Sequence, residues 1–355
     1  MGRLLVWTVF AWLATVQQLM RILLWSYSFH PTIGGLEAVS RMLAEEFSFQ
    51  GHEVTVITGT PCREKDEFPF VVVRRPERWQ LFRLVRACDV YLQNHISLKM
   101  AWPVLCAPRP WVVASHTWIP RSGIGGRMKH FMTRFARCIS CSKAVASHLG
   151  VPSTVISGPY DNLVFRIMPE LPRNRNLIFV GRLIKDKGVF LLLEAMTKLN
   201  ARGIYPTLTI VGSGPESDAL IQQVKALGLG EQILMVGPKG PAEIAKLLNR
   251  HQILVAPSVW QEPFGVVALE GIACGCVVVG SDGGGLKDAI GPCGITFPNG
   301  DAAALASCLA RLLREPDAWT RHRADAVSHL QQYTRAAVAS SYLKVLSSRY
   351  DPIRA

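Results

Sequence analysis

Short apolar runs alternate with longer amphipathic stretches along most of the chain. From Met20 onward the runs RILLWS, HEVTVIT, FPFVVVR, DVYLQN, RPWVVAS and STVIS are separated by helix-like segments such as LEAVSRMLAEEFSFQG. A strand covered on both faces reads as a continuous apolar run, and its parallel neighbour is reached through a crossover helix. The alternation therefore predicts an α/β architecture with a doubly wound parallel sheet. The stretch MPELPRNRN at 168–176 breaks the rhythm with proline and asparagine and reads as a linker. Beyond it the pattern restarts with NLIFVGRL, the helix KGVFLLLEAMTKL, PTLTIVGSG, a second helix, QILMVG, a third helix, QILVAPS, a helix from Gly265, and CVVVGS. Two Rossmann-like domains are expected, at 20–167 and 177–330. A C-terminal helical stretch, 331–355, would pack back on the first.

A length of 355 residues suits two domains of about 150 residues each. Hydrophobic residues make up 49% and charged residues 18%, which excludes an intrinsically disordered chain. Residues 1–19 stand apart. Their apolar run, Leu4 to Val16, is 13 residues long, short of the roughly 20 that span a bilayer. The segment reads as an extension, either dispensable or touching a membrane, or as a signal sequence. The nine cysteines are an odd number scattered through apolar runs, as reduced thiols are in a cytoplasmic protein. Cys138 and Cys141 form a CxxC without a second pair at zinc spacing, so no metal site is expected.

Charge is distributed unevenly. The net charge is +13, and the first 150 residues hold 18 Lys plus Arg against 9 Asp plus Glu, which is +9. No carboxylate occurs between Asp89 and Asp161. This half of the protein faces, or tolerates, something anionic.

In a doubly wound sheet the ligand sits at the carboxyl ends of the strands, so candidate chemistry belongs in the turns that follow them. After the first strand, SYSFHPTIGGLE places Gly34 and Gly35 at the start of a helix. In VGRLIKDKGV, Arg182 ends a strand and Lys187 stands at a helix start, where a cation opposes the helix dipole unless an anion shares the site. VGSGPE offers Gly212 and Gly214, whose lack of side chains lets backbone approach a ligand. In SVWQEPFGVVALEGIACG, Glu262 lies in a loop, and Phe264, Gly265 and Val266 open a helix whose free amides suit an anion. Glu270 follows inside the apolar GVVALEGIAC, and a carboxylate buried there needs a partner. Vicinal hydroxyls of a ribose would supply one, as would an Arg or Lys.

EPFGVVALE, with LIFVGRLIKDKG, LTIVGSGP, ILVAPS and CGCVVVGSDGGGLKDAI around it in order, resembles the Glu-x7-Glu signature of the family 4 retaining glycosyltransferases. The resemblance extends over nearly everything from Met20 and implies a GT-B fold, with two Rossmann-like domains facing each other across a cleft. It implies that Glu262 contacts the transferred sugar and Glu270 the nucleotide ribose, while Arg182 and Lys187 neutralise a diphosphate. Gly212 and Lys239, in VGSGP and VGPKGP, would lie around the base, and His116, ending RPWVVASH, would face the sugar. SGPYDN at 157–162 departs from the family's PNGVD-like turn.

The implied donor is a nucleotide diphosphate sugar, with UDP or GDP the expected nucleotide, and the implied acceptor is a glycan, lipid-linked glycan or surface polysaccharide. The chain has no DxD pair, and no cofactor is expected. Retention would follow from front-face attack, the departing phosphate assisting deprotonation of the acceptor hydroxyl. Rival readings are a nucleotide-sugar epimerase of the same fold and a catalytically silent, membrane-associated binding subunit.

RMKHFMTRFARCI reads as one amphipathic helix. At 100° per residue Ile124, Met128, Phe131, Met132, Phe135 and Ile139 share one arc, with Arg127, His130, Arg134 and Arg137 opposite. Within a carboxylate-free stretch this predicts that residues 121–143 rest on an anionic membrane surface, placing the protein peripherally at the inner face of the cell membrane. No nucleic-acid partner is expected.

Overall fold

The computed structural model describes residues 19–32, 34–62 and 67–348. The extension 1–19 lies outside them except for Leu19, as does the end of the predicted C-terminal helix, 349–355. Two parallel sheets organise the chain. The first runs β3 (Val71–Arg74), β2 (Glu53–Thr58), β1 (Arg21–Ser26), β4 (Val90–Asn94), β5 (Trp111–Ser115), β6 (Arg137–Ser140), β7 (Ser153–Val155). The second runs β10 (Ile233–Gly237), β9 (Leu208–Val211), β8 (Arg175–Val180), β11 (His251–Ala256), β12 (Val277–Ser281), β13 (Gly294–Phe297). Every residue of β4, β5 and β12 is buried, so their sequences show no alternation.

Strand order reverses at two points. β1 lies between β2 and β4, pairing Leu24 with Val56 and with Leu92. In the second sheet β8 pairs with β9 and β11, through Leu177 with Leu208 and Ile253. Crevices beyond the carboxyl ends of such strand pairs are where doubly wound sheets take ligands. By compactness the chain divides into residues 1–113 with 135–137 and 342–355, and residues 114–134 with 138–341.

Three local expectations change. The helix expected through RMKHFMTRFARCI runs only over Gly123–Met132; a 3₁₀ turn, Thr133–Phe135, follows, and Arg137 to Ser140 form β6. Arg137 leaves the predicted basic face, because its guanidinium donates to the carbonyls of Val345 at 2.6 Å and Ser348 at 2.7 Å, the open end of the helix Arg335–Ser347. That helix buries Tyr342, Leu343 and Leu346, so an apolar face holds it in place.

The interdomain stretch is also firmly held. β8 begins inside it at Arg175, and Arg173 donates to the carbonyls of Leu248 at 3.1 Å and Cys274 at 2.5 Å. All nine cysteines are free, and burial pushes the Cys88, Cys138 and Cys141 thiols up to about 12. Among the described residues no helix is long and apolar enough to cross a membrane, and no group of three His, Cys, Asp or Glu comes together to hold a metal ion.

Candidate active site

The site forms where β8 and β11 end. After β8 the chain passes Arg182, makes a 3₁₀ turn over Lys185–Lys187, and enters the helix Val189–Asn200 through Gly188. Gly188 has φ +68, and any Cβ there would run into the carbonyl of Pro257. This close approach seats Lys187 against the loop that follows β11. Its Nζ lies 2.5 Å from Glu262 Oε1, and the Ser258 hydroxyl donates to the same oxygen at 2.5 Å. The anion that the dipole argument requires beside Lys187 is thus, in this structure, the chain's own Glu262. That carboxylate is buried, and two donors offset its desolvation.

The Glu262 loop is pinned from several directions. Backbone N–H groups of Val259 and Trp260 donate to the Asp186 carbonyl at 3.0 and 3.3 Å. Asn299 accepts from Gly283 N at 2.7 Å, and its amide donates to Trp260 O at 3.4 Å. Gly285 N donates to Glu262 O at 2.7 Å, and Gly284, at φ +70, has the Glu262 backbone where a Cβ would be. The Trp118 indole N–H reaches the Gln261 carbonyl at 2.8 Å. Ser258, Asn299 and Trp118 were not singled out from sequence. Only Ser258 had a local signal, its place at the end of the VAPS run.

Beyond the loop Phe264 turns into the core, 5.7 Å from Tyr333. Gly265, at φ +125, caps the helix Val266–Ala273, and Val266 is its half-buried first residue. Glu270 sits one turn in, about 6 Å along the axis from Val266. It is half-buried, and its carboxylate has no hydrogen-bond partner among the described residues. Burial pushes its pKa up to about 7, and the charge of Asp161 adds to the shift. Among the described residues no Arg or Lys pairs with this carboxylate, so the purely structural pairing left open by the sequence is not made there.

Asp161 belongs to the divergent turn 157–162, which is built onto the C-terminal helices. Tyr160 N donates to Tyr333 O at 3.1 Å, Arg335 N to Asn162 Oδ1 at 3.1 Å, and the Arg335 guanidinium lies 3.8 Å from Asp161.

Other predicted residues are placed differently. Arg182 is exposed and forms no ion pair among the described residues. Gly212, at φ +137, and Gly214 have the carbonyls of Gly181 and Leu183 where their side chains would be. On the side where a Cβ would stand, the Arg182 loop fills the space, so the two glycines let these loops touch. Lys239 follows the edge strand β10, and its Nζ is 3.7 Å from Glu243. His116, half-buried, directly follows β5. Gly34 is extended at φ −177, and Gly35 opens the helix Gly35–Phe49 with nothing within 4 Å of its absent side chain. A shallow groove of about 410 Å³ shares Lys185, Gly188 and Val259 with this loop but continues over Phe190, Leu191 and Leu227. With Glu194 in its wall, it does not suit a diphosphate.

Residues 166–330 match the family Glycosyl transferases group 1. The glycogen synthase of Mycobacterium tuberculosis is 33% identical over 208 residues, 56% of this chain and 50% of that protein. The D-inositol 3-phosphate glycosyltransferase of Frankia alni is 36% identical over 189 residues, 50% of this chain and 46% of that protein. The chain spans about half the length of the curated relatives it matches. Among solved structures, Anabaena HepE in complex with UDP and glucose superposes with a TM-score of 0.78 at 20% identity, covering 93% of this chain and all of that one. The sucrose-phosphate synthase of Thermosynechococcus elongatus gives 0.75 at 22% identity over 92% of this chain and 98% of that one. The fold is GT-B, two Rossmann-like α/β domains.

Proposed function

We propose that the protein is a retaining, metal-independent glycosyltransferase that moves a sugar from a nucleotide diphosphate donor, UDP or GDP, to a glycan, lipid-linked or surface-polysaccharide acceptor. The observation that carries this reading is the pair of carboxylates on one short segment. Glu262 is held by Lys187 and Ser258 at a strand-order reversal, and Glu270 is desolvated with no partner of its own. A carboxylate in that condition awaits hydrogen-bond donors, and the vicinal hydroxyls of a ribose are two donors at the right spacing. Matches to glycosyl transferases group 1 and to structures holding UDP and glucose support the same reading.

In this account the diphosphate lies against Arg182, Lys187 and the free amides at Gly265 and Val266. Lys187 then shares its charge between phosphate and Glu262, and Glu262, still held by Ser258, accepts from the sugar hydroxyls. As the sugar's bond to phosphate breaks, negative charge grows on an oxygen already facing fixed cations and helix amides. The acceptor hydroxyl bonds to the anomeric carbon on the same face and passes its proton to the departing phosphate. His116 is assigned to the transferred sugar, Gly34 and Gly35 to donor binding, and Lys239 to the surroundings of the base.

The acceptor side is read from the helix Gly123–Met132. Contrary to a core-packed apolar arc, Ile124 is 86% and Met128 46% exposed, and Arg127 and Arg134 stand exposed with them. Apolar side chains interleaved with arginines suit the headgroup boundary of an anionic leaflet, at about 1 kcal/mol per basic residue. On this reading the enzyme works peripherally at the cytoplasmic face of the membrane.

A thermal-shift screen with UDP, GDP and ADP and their sugars tests the donor reading. A nucleotide at about 100 times its dissociation constant adds about 2.7 kcal/mol of stability. No shift with any of them would overturn it.

A further inference from the structure

The helices Arg78–Ala87 and Leu98–Cys106 form a second charged surface, for which the donor reading has no use. Their side chains pair rings with cations in two groups. Phe82 stacks on Trp102 with centroids 6.1 Å apart and planes inclined by 12°. The Arg78 guanidinium lies 5.4 Å over Trp102, and that of Arg83 lies 5.5 Å over Trp79. Trp79 is itself 57% exposed. Arg78, Arg83 and Lys99 are exposed, and none makes an ion pair among the described residues. Both neighbouring carboxylates are engaged: Glu77 accepts from the Trp79 indole N–H at 2.5 Å, and Asp89 pairs with Arg21 at 2.6 Å.

Such a surface has three cations without an ion pair among the described residues, and two of them, Arg78 and Arg83, are already ordered over rings. A guanidinium resting over an indole keeps its in-plane N–H groups free for a carboxylate, sulfate or phosphate and has less rotamer freedom to lose on binding. The arrangement differs from that of the helix Gly123–Met132, where aliphatic side chains stand clear of their neighbours. Here Trp102 lies against Phe82 and Arg78, Arg83 covers one face of Trp79 and leaves that ring 57% exposed, and Leu105 is the large aliphatic side chain left exposed. There is little to insert into a leaflet, and much to hold a soluble polyanion.

We propose that this face binds an acidic polysaccharide, its anionic groups on Arg78, Arg83 and Lys99 and a sugar ring against the open face of Trp79. The choice of a glycan over other polyanions rests on the reading of the chain as a glycosyltransferase. The site shares no residue with Lys187, Glu262 and Glu270, and binding there needs no nucleotide.

Titration of the full chain with polygalacturonate, neutral dextran, single-stranded poly(dT) and phosphatidylglycerol vesicles tests it. The expected result is salt-sensitive binding of polygalacturonate, about tenfold or more tighter than dextran. Arg78→Gln with Arg83→Gln should weaken it about tenfold, and Trp79→Ala severalfold, with unchanged melting temperature and unchanged nucleotide-induced shifts. Equal binding of dextran, or parent-like affinity in the folded double variant, would overturn the proposal. So would loss of poly(dT) or vesicle binding in that variant while polygalacturonate binding is absent or unaffected. Failure here with an intact nucleotide shift removes this face alone; a missing nucleotide shift with intact polygalacturonate binding removes the donor reading alone.

Discussion

Residues 257–270 and residues 121–135 are of similar length and are built in opposite ways. The first segment is fixed from all sides: Ser258, Lys187, Asn299, Trp118 and the Gly284–Gly285 backbone leave Glu262 one position. The second is anchored but leaves a run of side chains exposed. His130 Nε2 meets the Ile119 carbonyl at 3.2 Å, and Gly126 sits against the Pro120 carbonyl, while Ile124, Arg127, Met128 and Arg134 face outward. Chemistry on a small donor needs charges whose positions are over-determined before the ligand arrives, because reorganisation would be charged to the barrier. A surface that meets a broad partner needs uncompensated groups instead. The two segments should therefore respond to substitution in different assays.

The largest expected effect lies in the fixed segment. Glu262→Ala should lower turnover about 100-fold while leaving donor affinity within about threefold, as steady-state kinetics beside calorimetric binding would show. An equal loss in both would mean that Glu262 serves binding alone. Next in size, Lys187→Ala should weaken donor binding about tenfold or more. It also leaves Glu262 short of its cation, at a cost of about 1 to 2 kcal/mol in denaturant unfolding, below the value for a fully buried pair because Lys187 is 25% exposed. Unchanged donor affinity in a folded variant would remove Lys187 from the diphosphate site.

For the exposed segment, Arg127→Glu with Arg134→Glu should reduce sedimentation with phosphatidylglycerol vesicles about tenfold and leave nucleotide-induced shifts alone. Loss of nucleotide binding in this variant would erase the contrast between the two regions.

The smallest effect is a gain. A carboxyl whose folded pKa lies above its unfolded value costs the fold stability as pH rises through that interval, here from the ordinary carboxylate value of 4.5 to about 7. Glu270→Gln should remove that cost and stabilise the ligand-free protein by on the order of 1 to 2 kcal/mol at about pH 8, with no gain at about pH 4. Destabilisation at the higher pH would show that the carboxylate has a partner in the fold.

How far the sequence could be read follows from the range of the interactions. Strands such as RPWVVAS and CVVVGS were legible because both faces are covered, a property written in a few consecutive residues. β6 was not. Helical spacing continues through Ile139, but Arg137 is taken by carbonyls 208 residues further on at Val345, and the chain turns at Thr133–Phe135 to deliver it. β13 was missed as well, its run GITF being only four residues long. In the site, the dipole conflict at Lys187 called for an anion, and a phosphate was the expected one; that its own chain sets a carboxylate there, 75 residues away at Glu262, is a tertiary fact. Gly212 and Gly214 were recognisable as positions of close approach. What approaches them, the backbone of Gly181 and Leu183, was not. Glu270 was the most legible residue of all, since a carboxylate in an apolar helix declares its own cost.

That residue also offers the most direct test, the pH dependence of nucleotide-sugar affinity in the parent protein and in Glu270→Gln. The donor's diphosphate diester keeps its charge through the range, so the protein supplies the titration. If ribose hydroxyls donate to the Glu270 carboxylate, binding requires the deprotonated form. Affinity should then fall about tenfold from about pH 8 to about pH 6 in the parent and stay flat in the variant, which binds more weakly throughout. Equal affinity at both pH values in the parent, or the same slope in Glu270→Gln, would contradict the assignment of this site to a nucleotide sugar.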